Sequence, residues 1–263
     1  MLIIEDIDLN IATTQEIKNL IKLCAKHTAI TIRNQNLSVE REAEIVKMFP
    51  NPYVLFKPDT PGFARSALDK EGYIGLVTEN SIAGHKEEML WHNESPHARV
   101  GSGVAWLYGE QGVEGSTTVW NNTIEAYKDL DSNTKERIKD LKVITFGNVN
   151  HSIVRTKENF ENRKVYDSVP FPLVHTNQIG ETGLFLSLHQ FERFEGMTRE
   201  QSLEIAEPLF NFITQDKYCH VLEWKTGDVS LSDQWIGVHK RLQFDSMNNR
   251  RVHRATFDYP AFV

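Results

Sequence analysis

Short runs of strand-forming residues recur from one end of this chain to the other, and they constrain its architecture more than any other feature. AITIR (29–33), YIGLVT (73–78), VAWLY (104–108), TTVW (117–120), KVITF (142–146), FPLVHT (171–176), LFLSL (184–188), VLEW (221–224), VSLS (229–232) and VHRATF (252–257) are each too short for a helix and rich in β-branched or aromatic residues. Gly and Pro fall between them as turn punctuation, with no repeat and no linker, so residues 1–263 read as a single domain. Helical periodicity is confined to a few places. In 13–27, Thr13 and Glu16 form a capping box and Ile17, Leu20, Ile21 and Cys24 share a face. Ser38 opens a second helix ending near Phe49, and 123–130 and 133–141 are also helical. Thr198 with Gln201 opens another, carrying Leu203, Ile205, Leu209, Phe210 and Ile213, which Pro208 should kink or split. Early helices, strands throughout and one helical insertion predict an α+β fold built on a β-sandwich or jelly roll with flanking helices.

Composition narrows the function. With 263 residues, 40% hydrophobic and 25% charged, the chain can build a full core and is not a disordered or low-complexity polymer. A net charge of -7, with Lys and Arg scattered rather than striped, argues against a nucleic-acid partner. MLIIEDIDLN lacks a basic region before an apolar core and reads as a first strand, not a signal peptide; no stretch is apolar enough to span a membrane. Two cysteines, Cys24 and Cys219, read as buried free thiols rather than a disulfide scaffold. A cytoplasmic location is expected, where ferrous iron would be available.

The block LWHNESPH (90–97) carries the most chemistry. His92 and Glu94 are two residues apart, and on a strand such positions face the same way, so an imidazole and a carboxylate converge. A distant histidine would complete the two-His, one-carboxylate facial triad of non-haem iron(II) oxygenases, which leaves positions open for a chelating co-substrate and dioxygen. Alone, His-x-Glu is a weak signal. It gains force from GDVSLSDQWIGVHKRLQFDSMNNRRVHRATF (227–257), where a Gly-Asp turn leads through a strand to His239, with Arg250 and Arg254 following. A return strand could bring these guanidiniums beside a metal, where their planar forks suit a carboxylate such as the distal one of 2-oxoglutarate.

At this point the sequence resembles the taurine dioxygenase / clavaminate synthase-like family of Fe(II)/2-oxoglutarate-dependent oxygenases. AITIRNQNLSVEREAEIVKMF is similar to the family's opening strand-turn-helix and LWHNESPH to its first metal motif. WLYGEQGVEGSTTVWNNTIEAYKDL is similar to its strand, Gly-rich turn, Thr and helix. FPLVHTNQIGETGLFLS and FERFEGMTREQS are similar to its middle hairpin and helix start, and GDVSLSDQWIGVHKR and RRVHRATF to its closing motifs. The order and spacing together are far more specific than any one motif. The resemblance implies a double-stranded β-helix (jelly-roll) core. It implies His92, Glu94 and His239 as Fe(II) ligands and the catalytic centre, Thr118 and Arg250 on the 2-oxoglutarate carboxylate, and Arg254 on that carboxylate or on an anionic substrate group. The implied reaction is oxidation, foremost hydroxylation, of a C–H bond in a small-molecule substrate by dioxygen, releasing succinate and CO2. Glu94 stands where Asp is commoner and tilts the substrate toward amino-acid-like molecules. Ser232-Asp233-Gln234 departs from the usual Trp-Asp-Asn.

Substrate contacts are less legible. Trp91, Asn93, Ser95 and His97 flank the metal motif, and Asn80 with the run 81–88 could form a lid. His85 and His97 read as lid or surface residues; His151, His175, His189 and His220 as structural; Trp235 and Phe257 as core; and His253 as pointing to the strand face opposite the arginines. Two other readings use the same ligands: a zinc hydrolase or lyase, which has no need of Thr118 and Arg250, and a non-catalytic jelly-roll binding protein, which has no need of a triad in register. The resemblance also allows a homo-oligomer.

Overall fold

A computed structural model describes residues 2–54, 67–78, 86–94, 103–145, 169–245 and 249–262. The elements run β1 (Leu2–Ile4), α1 (Thr14–His27), β2 (Ala29–Ile32), α2 (Val39–Lys47), β3 (Gly75–Thr78), β4 (Met89–His92), β5 (Val104–Gln111) and β6 (Thr117–Asn121). They continue with α3 (Thr123–Asp129), α4 (Ser132–Ile138), β7 (Lys142–Thr145), β8 (Phe171–Pro172), β9 (Val174–Thr176), β10 (Thr182–Leu184) and β11 (Phe191–Phe194). The last are α5 (Arg199–Ile213), β12 (Cys219–Glu223), β13 (Val229–Asp233), β14 (His239–Arg241) and β15 (Arg251–Phe257).

Two sheets matter for function. The larger has the order β1-β2-β13-β5-β15-β3 and the smaller β12-β6-β14-β4. Their pairings are antiparallel except β1 with β2. Because strand residues alternate faces, each strand of the larger sheet serves two environments. Ile30, Ile32, Trp106, Tyr108, Val229, Leu231, Ala255 and Phe257 face one way, into a core closed by α1 and α2. Ala29, Leu107 and Val252 face the other way and pack with Trp120, Leu222 and Trp224 from the smaller sheet's side. The space between the sheets is therefore lined from β15 by Val252 and by its same-face neighbour Arg254, with Arg250 just ahead of the strand. A third core gathers α3, α5, β7 and β11.

The capping signals behave as expected. Thr13–Glu16 and Thr198–Gln201 both form full capping boxes. Gly227, at φ 89° and with a built Cβ only 2.7 Å from the Gln35 carbonyl, makes the Gly-Asp turn that a side chain would obstruct. Several expectations need correction. α5 runs unbroken through Pro208; its buried face, with Leu209, Phe210 and Ile213 in the third core, holds the helix together across the lost hydrogen bond. The 171–176 run is two short strands, β8 and β9. In the 184–188 run, strand structure ends at Leu184. Cys24 is buried and Cys219 half-buried, and both are free thiols.

His253 does face away from the arginines, as expected, but into an ionic cluster that was not. Its Nδ1 lies 2.5 Å from Glu42 Oε1 and its Nε2 3.1 Å from Glu110 Oε2. Trp106 Nε1 donates to Glu42 at 2.9 Å, and Arg251 also bonds Glu110. Glu42 is fully buried, so it depends on these partners for charge compensation. Burial works against the His253 imidazolium, yet the two carboxylates outweigh it and hold its pKa above the ordinary histidine value.

Candidate metal centre

His239 opens β14, the strand between β4 and β6. In register it sits opposite His92 on one side and Trp120 on the other. Directly opposed residues of antiparallel strands project to the same face. The two imidazoles therefore lie together, ring centroids 4.2 Å apart, and Trp120 stacks beside His239 at 6.1 Å and 26°.

Glu94 reaches the same point by another route than the strand pleat. β4 ends at His92, and Glu94 lies in the bend beyond it. Its position is set by a hydrogen bond to the loop ahead of His239: Glu94 N–H donates to Gln234 Oε1 at 2.6 Å. Glu94 Oε1 is then 3.7 Å from His92 Nε2 and 3.5 Å from His239 Nε2. One ligand atom from each of the three residues lies within 4.8 Å of the others. His92 Nδ1 is 2.7 Å from the Leu90 carbonyl. A carbonyl only accepts, so Nδ1 carries the proton and Nε2 presents its lone pair.

The electrostatics suit ligation. Arg254 Nη2 is 2.5 Å from Glu94 Oε2, leaving Oε1 toward the histidines. Burial pushes the Glu94 carboxyl up, but Arg254 and the two imidazoles overcome it and hold it well below the usual carboxylate range. The donor set is two imidazole nitrogens and one carboxylate oxygen, half-buried to buried, which fits a first-row divalent ion. Orphaned polar atoms fit an anionic companion. Arg254 Nε and Trp120 Nε1 are buried and have no hydrogen-bond partner among the described residues.

The remaining predicted residues are placed as follows. Thr118 is buried on β6, on the same face as Trp120, and its Oγ1 accepts from Trp224 Nε1 at 2.9 Å. With the indole donating, the hydroxyl proton is left to be given elsewhere. Arg250 is buried, with its guanidinium 5.3 Å from the Phe244 ring. Asn93 differs from the expected substrate contact. It is 3% exposed, and its amide donates to the Gln234 and Gly237 carbonyls, so it ties backbone to backbone. Trp91 alternates to the face of β4 away from His92; it packs with the third core and lies under Lys240 at 5.3 Å. Asn80, His85, Ser95, His97 and His151 lie outside the described residues.

Sequence reasoning missed two features. Arg241, opposite Thr118 in register and two residues after His239, is buried on the ligand face; its Nη2 donates to the Glu87 carbonyl and it stacks on Phe244 at 4.6 Å. Reading 239–241 as a strand would have placed it there. The Arg254–Glu94 pair had no local signal, because it joins segments that only the fold brings together.

Comparison with known proteins identifies the family. The family described as "Taurine catabolism dioxygenase TauD, TfdA family" matches residues 4–256. The alpha-ketoglutarate-dependent 2,4-dichlorophenoxyacetate dioxygenase of Burkholderia sp. (strain RASC) is 24% identical over 197 residues, which is 73% of this chain and 65% of that protein, less than two thirds of its length. Two solved structures share the fold. AAD-2 in complex with Mn(II) and N-oxalylglycine has a TM-score of 0.73 at 19% identity, covering 99% of this chain and 95% of that one. A taurine dioxygenase from Burkholderia xenovorans has 0.74 at 19%, covering 98% and 86%. With the match running across nearly its whole length, the chain belongs to the TauD/TfdA dioxygenase family.

Proposed function

We propose that this protein is an Fe(II)- and 2-oxoglutarate-dependent dioxygenase that hydroxylates an unactivated C–H bond of a small, amino-acid-like or anionic substrate, releasing succinate and CO2. The observation that carries the reading is the convergence of His92, Glu94 and His239. The 2,4-dichlorophenoxyacetate relative is named as alpha-ketoglutarate-dependent, and AAD-2 was solved with a divalent metal and N-oxalylglycine, in which an NH replaces one CH2 of 2-oxoglutarate. We read residues 1–263 as one jelly-roll domain; two facing, mostly antiparallel sheets support this.

When bound, iron and 2-oxoglutarate would supply the oxidising chemistry; the protein supplies ligation, orientation and a dry site. His92, Glu94 and His239 would hold the metal on one face. Thr118 would donate its hydroxyl proton to the distal carboxylate, and Arg250 would meet the same carboxylate with its guanidinium. Arg254 orients Glu94 through one nitrogen and has Nε left for an anionic group of the substrate. The buried indoles of Trp120 and Trp224 exclude water beside His239 and Thr118. A zinc hydrolase would use the same three ligands but would have no use for Thr118 and Arg250 as carboxylate anchors.

The test is succinate formation by the Fe(II)-loaded protein with 2-oxoglutarate, across a panel of amino acids and small carboxylates and sulfonates, read together with substrate mass. A substrate gaining one oxygen in step with succinate is the expected result. Absence of 2-oxoglutarate turnover with any substrate, alongside metal-dependent hydrolysis, would overturn the reading in favour of the hydrolase.

A further inference from the structure

The loop between β13 and β14 does more than connect two strands. Asp233 accepts from Trp235 N–H at 2.7 Å and Ile236 N–H at 2.9 Å, and Tyr259 OH donates to it at 2.6 Å. Gly237 packs so closely that a built Cβ would lie 2.8 Å from the Asp233 carbonyl, so the loop closes backbone on backbone. Gln234, 2% exposed, reaches out of this rigid turn. Its Nε2 donates to Ser232 Oγ at 2.8 Å and to the Ser232 carbonyl at 3.2 Å, which fixes the amide's orientation and aims Oε1 at Glu94 N–H, 2.6 Å away. Asn93 repeats the tie in reverse by donating to the Gln234 and Gly237 carbonyls. On the far side, Gln190 brackets Asn93, accepting from its N–H at 2.8 Å and donating to its carbonyl at 2.9 Å.

We propose that Gln234 is a positioning residue for the metal: its side-chain oxygen pins the backbone of Glu94 to the turn that delivers His239, so the ligand atoms stand together before an ion arrives. This rests on the reading of His92, Glu94 and His239 as metal ligands. Glu94 lies past the end of β4 and has no ladder partner among the described residues, and the Gln234 amide oxygen takes its backbone N–H instead. A ligand free to swing would have to be ordered by the ion, at the expense of affinity. Partners that orient ligands in this way typically account for 10- to 100-fold in metal affinity.

The experiment is a Mn(II) titration of metal-free protein by electron paramagnetic resonance, with metal-free melting temperature measured in parallel. Gln234→Leu, close in volume but without an acceptor, should weaken Mn(II) binding by about 10- to 100-fold. Gln234→Glu keeps an acceptor oxygen for the Glu94 N–H but loses the donor to Ser232, so it should retain more Mn(II) affinity than Gln234→Leu. Asn177→Ala removes a buried amide that donates to the Ala25 carbonyl; it should lower the melting temperature and leave Mn(II) affinity unchanged. If Gln234→Leu fails to fold, Gln234→Asn, one methylene too short to reach, takes its place with the same expected loss. Wild-type affinity in the folded acceptor-lacking or shortened variant, while Glu94→Ala loses binding, overturns the positioning role alone. Equal binding by wild type and Glu94→Ala overturns the ligand reading and this proposal with it.

Discussion

Thr118 and Trp224 form a pair whose two members should separate stability from co-substrate binding. Thr118→Val keeps the shape and removes the hydroxyl. The Trp224 indole N–H then remains buried without an acceptor, since Trp224 is 4% exposed. A buried unsatisfied donor costs about 1–3 kcal/mol, whereas removing both partners costs much less. For a chain this size each kcal/mol lowers the melting temperature by about 2–4 °C. Thr118→Val should therefore destabilise the wild type by about 1–3 kcal/mol, and by clearly less in a Trp224→Phe background. Co-substrate affinity should behave differently. A hydrogen bond to a charged carboxylate contributes about 1.5–3 kcal/mol, or roughly 10- to 150-fold. That loss should follow Thr118→Val in both backgrounds and be absent from Trp224→Phe alone. Thermal melts and calorimetric titration of 2-oxoglutarate into the Mn(II)-loaded protein would measure both. Equal destabilisation in the two backgrounds would refute the hydrogen bond; unchanged 2-oxoglutarate affinity in Thr118→Val would refute the role of the hydroxyl.

Other outcomes follow from the same geometry. Glu94→Ala should abolish hydroxylation, because the third ligand is lost and Arg254 is left facing the imidazoles with no counter-charge; turnover near the wild-type rate would contradict its assignment. Arg250→Ala should chiefly raise the 2-oxoglutarate concentration needed for half-maximal rate, and wild-type-like co-substrate affinity would rule Arg250 out as the anchor. His253 has a folded-state pKa above the ordinary 6.5, after its carboxylate partners overcome its burial, so its contribution to stability is complete below that value and fades as pH rises through the raised one. Melting temperature should accordingly decline on the alkaline side of 6.5, and His253→Gln should flatten the decline; an unchanged slope in the variant would show that other groups set it.

How much of this was legible in advance follows from which interactions are local. The strand runs, both capping boxes and the alternation that sends His253 away from Arg254 depend on neighbours in sequence and could be read from it. That His92, Glu94 and His239 come together was legible through motif order. The reason His92 and Glu94 converge was not: the strand ends between them, and a hydrogen bond that Glu94 N–H donates to Gln234, far along the chain, does what the pleat was expected to do. Arg241 could have been found by extending the pleat two residues past His239. Glu42 in VEREAEIVK shares a face with Ile45 and Val46 at helical spacing, and its burial makes sense only once β15 supplies His253. Pro208 misled because propensity weighs a proline without weighing the core that holds its helix in place.

The most direct test of the central claim is the position of one ion. Crystals of this protein soaked with Mn(II) and N-oxalylglycine, with the metal located by anomalous scattering, should show a single ion coordinated directly by His92 Nε2, Glu94 Oε1 and His239 Nε2. An ion bound elsewhere, or bound with His239 or Glu94 outside coordination distance, would contradict the account.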